Sequence, residues 1–390
     1  MTEWKEYKLG ELIKTNVKSI GRDYPYSKIL YLDTGSITCN NIDSFQEFEL
    51  DKAPSRAKRL VKQDDIIYSS VRPNQLHYGY ITNPQDNLVV STGFVTITCN
   101  KDLLCPKFLY YFLIQSQITE YLHSVAEAST SAYPSLKPSD IEALDIEIPP
   151  LDTQRRIASI LSSLDDKIDL LHRENATLEQ MAETMFRQWF VEESKEEWEE
   201  VLITELFEVK DGTHDSPKPQ EYGHKLITSK YIHNNSIDLN EAYNISDTDF
   251  TNINKRSKVD TNDILFSMIG TIGLIYLEQN EIIDYAIKNV GLIKTSQNPN
   301  WKYFVYLWFK SELGLEWIHE NKTGSTQEYI SLNSLRSIKF RIKDLKQVQE
   351  FDQTVNIYFE KLRTNKQQIR TLIQTRDGLL PRLMSGEIKI

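Results

Sequence analysis

Residues 144–161 read LDIEIPPLDTQRRIASIL, and 194 residues later, at 338–355, the chain writes IKFRIKDLKQVQEFDQTV. Each copy opens on an alternating strand pattern, Leu144, Ile146 and Ile148 in one and Ile338, Phe340 and Ile342 in the other, and passes through a break into a helical period. Pro149 and Pro150 end the first strand. Asp344 and Gln347 have capping-box spacing at the second helix start. The helices carry a heptad seam. From Ile157 it steps through Leu161, Leu164, Ile168, Leu171, Asn175 and Leu178 to Ala182, Met185 and Trp189. The second copy places Phe351, Val355, Tyr358, Leu362, Asn365, Ile369, Leu372, Arg376 and Leu379 on the same seam. Gly378 and Pro381 are expected to stop the second helix, whereas the first should run to about Glu193.

The duplication extends outward from these stretches. EWKEYKLGELI from Glu3 returns as EWEEVLITELF from Glu197. DDIIYSSV from Asp64 matches NDILFSMI from Asn262, and PKFLYYFLIQS from Pro106 matches WKYFVYLWFKS from Trp301. A small-residue loop precedes a Ser-Leu pair in both copies. The expected architecture is therefore α+β, an internal pseudo-twofold repeat with globular domains at 1–150 and 198–344. A central helix occupies 151–197, and a C-terminal helix and tail occupy 345–390. A helix of ~40 residues spans about 60 Å, longer than a domain is wide, so its seam needs a partner helix. The first helix carries the chain away from one domain and the second must return, which predicts an antiparallel coiled coil. The alternative is that each helix packs only on its own domain. Asn175 and Asn365 suit the register-fixing use of a buried amide, or a partly exposed seam.

At 390 residues the chain accommodates two ordinary domains. No apolar run approaches a membrane span and the N-terminus lacks a signal-peptide layout, so a cytoplasmic location is expected. Cys39, Cys99 and Cys105 lack CxxC spacing and are expected to be buried, inert thiols. The net charge of −11 argues against binding nucleic acid by bulk electrostatics alone.

Recognisable catalytic motifs are missing. There is no GxxxxGK[ST] phosphate loop, GxGxxG or HExxH, and no Pro-Asp dipeptide to support a nuclease; IPPL lacks the asparagine and aromatic residue of an amino methyltransferase motif. The expected role is non-catalytic, with no metal and no cofactor bound by this chain.

Loop residues then carry the information. KAPSRAKRLVK clusters Lys52, Arg56, Lys58, Arg59 and Lys62, and the matching place in the second copy has Lys255, Arg256 and Lys258. Such residues suit phosphate contacts, the alternative being a solvated charged loop. SSVRPNQLHYG offers Arg72, Asn74, Gln75 and His77, where Arg, Asn and Gln can pair bidentately with base edges. DGTHDSPK supplies Thr213, His214, Ser216 and Lys218 in a turn set by Gly212 and Pro217. The small-residue loops, with Thr130 and Tyr133 in one and Ser325, Thr326 and Gln327 in the other, could face DNA or cap the next helical turn.

These segments, with STGF from Ser91, YPSLKPSDI from Tyr133, FRQWF from Phe186, GSTQEYISL from Gly324 and LLPRLMSGEI near the end, follow one another as in the specificity subunit of type I restriction-modification systems. The chain resembles that family over nearly its whole length. The resemblance implies two target recognition domains, each reading one half of a bipartite site in double-stranded DNA. It also implies helices that act as a ruler and two docked methyltransferase (M) subunits, with restriction (R) subunits joining for cleavage. S-adenosylmethionine, ATP and Mg would belong to those partners, which explains the missing motifs, and enclosing partners would supply phosphate contacts. Because SSVRPNQLHYG has no counterpart in SMIGTIGLIYL, an asymmetric site with unlike halves is expected, separated by roughly half to one turn of DNA. The rivals are the specificity subunit of a system with a fused methyltransferase-nuclease, a coiled-coil adaptor without DNA contact, and an independent nuclease or methyltransferase.

Overall fold

The computed structural model describes residues 4–128, 135–233, 235–324 and 327–390. The chain forms two compact units, residues 1–170 with 369–390 and residues 171–368, so each unit takes part of both long helices.

In the first unit the closing strand Asp145–Ile148 pairs antiparallel with Lys5–Lys8, setting Ile146 opposite Tyr7. Ile146 and Ile148 turn inward and Asp145 and Glu147 outward, as their alternation dictates. Two four-stranded sheets carry the remainder. One orders Gln46–Glu49, Lys28–Leu32, Leu88–Ser91 and Ala57–Leu60; the other orders Ile13–Thr15, Phe94–Cys99, Ile66–Ser69 and Tyr78–Tyr80. The second sheet shares a core with helices Pro106–Leu113 and Ser116–Glu127, built on Tyr68, Val95, Phe108, Tyr111 and Leu122. Ile157, Ala158 and Leu161 of the central helix and Leu380, Leu383 and Met384 of the C-terminal helix complete that core.

The second unit repeats the order. Glu199–Leu202 pairs with Lys339–Ile342, and a four-stranded sheet runs Val209–Asp211, Val290–Ile293, Ile264–Ser267, Ile275–Leu277. A three-stranded sheet places Asn244–Ile245 beside His224–Ile227, which is parallel to Tyr285–Ile287. At the place of the basic strand Ala57–Leu60, this unit instead has a helix, Asp247–Ser257. Lys255 and Arg256 therefore do not lie in a loop. Ser246 caps the helix by accepting from the Asp249 N–H, and acids in the first turn with bases in the last complement the helix dipole.

The central helix spans Leu151–Arg187 and continues as a π-turn, Gln188–Glu192; the C-terminal helix spans Leu345–Met384. Of the expected seam, Ile157, Leu161, Ile168, Leu171, Asn175, Phe351, Val355, Leu362, Asn365 and Ile369 are buried, while Leu164, Leu178, Tyr358 and Leu372 are half-buried. Within the second unit the helices run in opposite directions: Asn365 meets Asn175, and further along the Gln347 side chain reaches the Trp189 carbonyl at 3.3 Å. Within the first, Arg376 pairs with Asp165 at 3.0 Å, and Asp165 also accepts the Tyr111 hydroxyl at 2.6 Å. The N-terminus of the C-terminal helix is capped reciprocally. Gln347 N–H donates to Asp344 at 2.8 Å and its side chain accepts from the Lys343 N–H at 3.0 Å.

Two further expectations are overturned. The C-terminal helix does not stop at Gly378 or Pro381 but runs to Met384, and the turn follows at Gly386, whose φ is +73°. An internal proline costs about 3 kcal/mol. Burial of Leu380, Leu383 and Met384, about 1.5–3 kcal/mol each, outweighs it, and Pro381 itself faces solvent. The cysteines are not uniformly buried: Cys39 is exposed, in a turn where its φ is +49°. Cys99 is buried, which pushes its thiol up to about 12.

Candidate nucleic-acid interface

In the first unit the basic cluster sits along one strand and its approach. Lys52, Arg56, Lys58 and Lys62 are exposed, and Arg59 is half-buried with its Nε unpartnered among the described residues. The strand is held by Leu88–Ser91, and the Thr92 N–H donates to the Arg56 carbonyl at 2.8 Å. Arg56 lies near Tyr31, whose hydroxyl burial pushes up and Arg56 pulls down.

The turn Pro73–Gln75 is flanked by two left-handed residues, Arg72 at φ +47° and Leu76 at φ +59°. Such backbone costs of order 1 kcal/mol or more per residue and persists where the surroundings enforce it. Its effect is to hold Arg72, Asn74 and Gln75 out in solvent. His77 behaves differently. Its Nδ1 contacts the Ile37 carbonyl at 2.5 Å and the Thr38 hydroxyl at 3.4 Å, so one ring nitrogen is committed to the fold.

In the second unit the segment after Val209–Asp211 must pass close to a neighbouring strand. A Cβ on Gly212 would meet the Ile287 carbonyl oxygen at 2.3 Å, so glycine alone permits the approach. The Thr213 N–H then donates to Ile287 at 3.0 Å, and its hydroxyl accepts from the Asp215 N–H at 3.1 Å. His214 Nε2 lies 3.0 Å from Asp211, and its Nδ1 lies 2.7 Å from the Asn289 side-chain oxygen. Arg256 pairs with the other oxygen of Asp211. The structure thus gathers Thr213, His214 and Arg256. Lys288 bonds Ser216 at 2.5 Å nearby, and Lys218 is exposed. Lys255 lies apart, bonded to Asn252 at 3.0 Å. Thr228, Ser229, Lys230, His233, Thr271 and Asn289 line an adjoining groove of about 450 Å³.

The residues that follow the small-residue loops dock alike in both units. Leu136 N–H donates to Ser70 at 2.7 Å, and Ile330 N–H donates to Met268 at 3.0 Å. Leu136 and Ile330, which follow these loops, therefore lie beside the ends of the strands Ile66–Ser69 and Ile264–Ser267. Gln327 is exposed in the second loop; Thr130, Tyr133, Ser325 and Thr326 lie outside the described residues.

Sequence reasoning missed Asp211, Asn289, Lys288 and Lys230. Asp211 stands directly before the Gly-Thr-His stretch and could have been noticed as a carboxylate beside two predicted bases. Asn289 adopts φ +52°, which no local pattern announces.

Two domains in equivalent frames, carrying unlike sets of exposed basic and amide side chains, are what a DNA-specificity protein with two different readers would present. The family described as "Type I restriction modification DNA specificity domain" matches residues 1–180 and again 195–374, and the chain belongs to it. It is 26% identical to the type I restriction enzyme HindI specificity subunit of Haemophilus influenzae, with all of both chains covered. It is 24% identical to the MjaIX specificity subunit of Methanocaldococcus jannaschii, covering 100% of this chain and 97% of that one. The crystal structure of the type I restriction-modification system S subunit from M. genitalium shares the fold, with a TM-score of 0.58 at 16% identity over 98% of this chain and 96% of that one. No helix among the described residues is long and apolar enough to cross a membrane.

Proposed function

We propose that this chain is the specificity subunit of a type I restriction-modification complex, reading an asymmetric bipartite site in double-stranded DNA. Residues 1–150 read one half and 198–344 the other. The carrying observation is that one family domain matches twice, the two spans beginning and ending 194 residues apart, while the exposed side chains at corresponding places differ. Arg72, Asn74 and Gln75 serve one half; Thr213, His214 and Arg256 serve the other.

The long helices pair as an antiparallel coiled coil and give the chain a pseudo-twofold frame, on which two methyltransferase subunits dock at equivalent surfaces, with restriction subunits joining them in the cytoplasm. The chain itself does no chemistry. The partners bring S-adenosylmethionine, ATP and Mg. Co-expression with the neighbouring methyltransferase gene, followed by genome-wide mapping of modified adenines, tests the reading. A bipartite motif with unlike halves is expected; a palindromic motif, or unchanged modification after Arg72→Ala and His214→Ala, overturns it.

A further inference from the structure

We infer that Asp211 is a positioning residue of the second reader: its carboxylate aims Arg256 and His214 at the DNA and so sets which bases are accepted without touching them. The inference rests on the function proposed above.

The exposures carry it. The Asp211 side chain is only 6% exposed, whereas its partners Arg256 and His214 are 58% and 67% exposed. A buried carboxylate is unfavourable unless paired and hydrogen-bonded, and here each oxygen meets a different base. An ion pair serving only the core would bury the cationic partners as well, as Lys294 is buried between Asp260 and Asp263 in this same unit. At Asp211 the anion is sunk and the donors stand out.

The geometry also leaves those donors competent. Asp211 engages one terminal nitrogen of Arg256, and the guanidinium has five N–H donors in a rigid fork, so others remain for a base or phosphate. Arg256 comes from the last turn of a helix and His214 from a turn 42 residues earlier; one carboxylate fixes both. Asn289 holds the far side of the imidazole and also lines the groove, so the constraint on His214 continues into a concave surface. Pre-ordering side chains in this way lowers the entropy lost on binding and penalises bases that would require other orientations.

The test compares Asp211→Asn, Arg256→Ala with His214→Ala, and the triple variant, each co-expressed with the methyltransferase partner and scored by genome-wide adenine modification. Asp211→Asn should broaden the accepted bases within one half-site, with roughly tenfold loss of discrimination at one or more positions. The other half should be unchanged, and adding Asp211→Asn to the double variant should broaden nothing further. An unchanged motif, or a uniform fall in modification with the motif intact, overturns the inference while leaving the proposed function standing. If Asp211→Asn does not accumulate, Arg256→Lys carries the test: it keeps the charge but loses the fork, and must broaden the same half, an unchanged motif again overturning the inference. A wild-type chain that yields no bipartite motif overturns both.

Discussion

The Asn365 side-chain amide donates to the Asn175 side-chain oxygen at 2.9 Å, and the same amide nitrogen lies 2.9 Å from Glu174. Both asparagines are buried on a mainly apolar seam, and the Asn365 oxygen has no partner among the described residues. One amide pair therefore marks a single register between the helices. Replacing Asn365 by Ala should strand Asn175 and lower unfolding stability by about 1–3 kcal/mol. Replacing both by Leu should recover stability but loosen the register, read as a second population in disulfide trapping between cysteines introduced along the two helices.

Arg376 should be a comparable loss in the first unit. It pairs with Asp165, which also holds Tyr111, and both charged side chains are about three-quarters buried. Arg376→Met should lower the denaturation midpoint by an amount equivalent to roughly 1–3 kcal/mol, and Asp165→Asn in the same background should restore part of it.

Asp352 should make the second unit pH-sensitive. Burial raises its carboxyl to about 7, against the pull of Lys302 and of the backbone N–H groups of Phe304 and Tyr303 that it accepts. Between the ordinary value of 3.8 and about 7 the folded chain keeps a proton that the unfolded chain has released. Stability from this group therefore falls as pH rises through that window, by up to roughly 4 kcal/mol. Asp352→Asn should accept the same N–H bonds without the charge, so the difference between variant and wild type in denaturant unfolding should grow from pH 4 to pH 7 and then level.

Gly212→Ala should displace the Thr213 and His214 turn, because the added methyl would overlap the Ile287 carbonyl. Modification of sites in the co-expression assay should fall at least tenfold, while Gly378→Ala, where a Cβ meets nothing, should leave it unchanged or raise stability slightly.

Replacing residues 198–344 with the corresponding reader of another family member should change one half of the modified motif and leave the other intact, as mapped by adenine modification.

The helices and closing strands were legible because their residues repeat with the period of the structure they form. Ile146 and Ile148 alternate inward, and Asn175 and Asn365 fall on one seam. The C-terminal end was misread because Gly378 and Pro381 are local signals, while Leu380, Leu383 and Met384 act through a core contributed by residues far away in sequence. The reader loops were legible as composition only. That His77 turns back to Ile37, or that Asp211 joins His214 to Arg256, depends on strand pairings that no window of sequence contains.

Leu380, Leu383 and Met384 close the core of the unit that begins at the other end of the chain. During synthesis that first unit stays unfinished until the ribosome has passed Met384, although the second unit, which ends at residue 368, is by then already made. A premature stop near residue 370 would therefore injure the domain made first and spare the one made last.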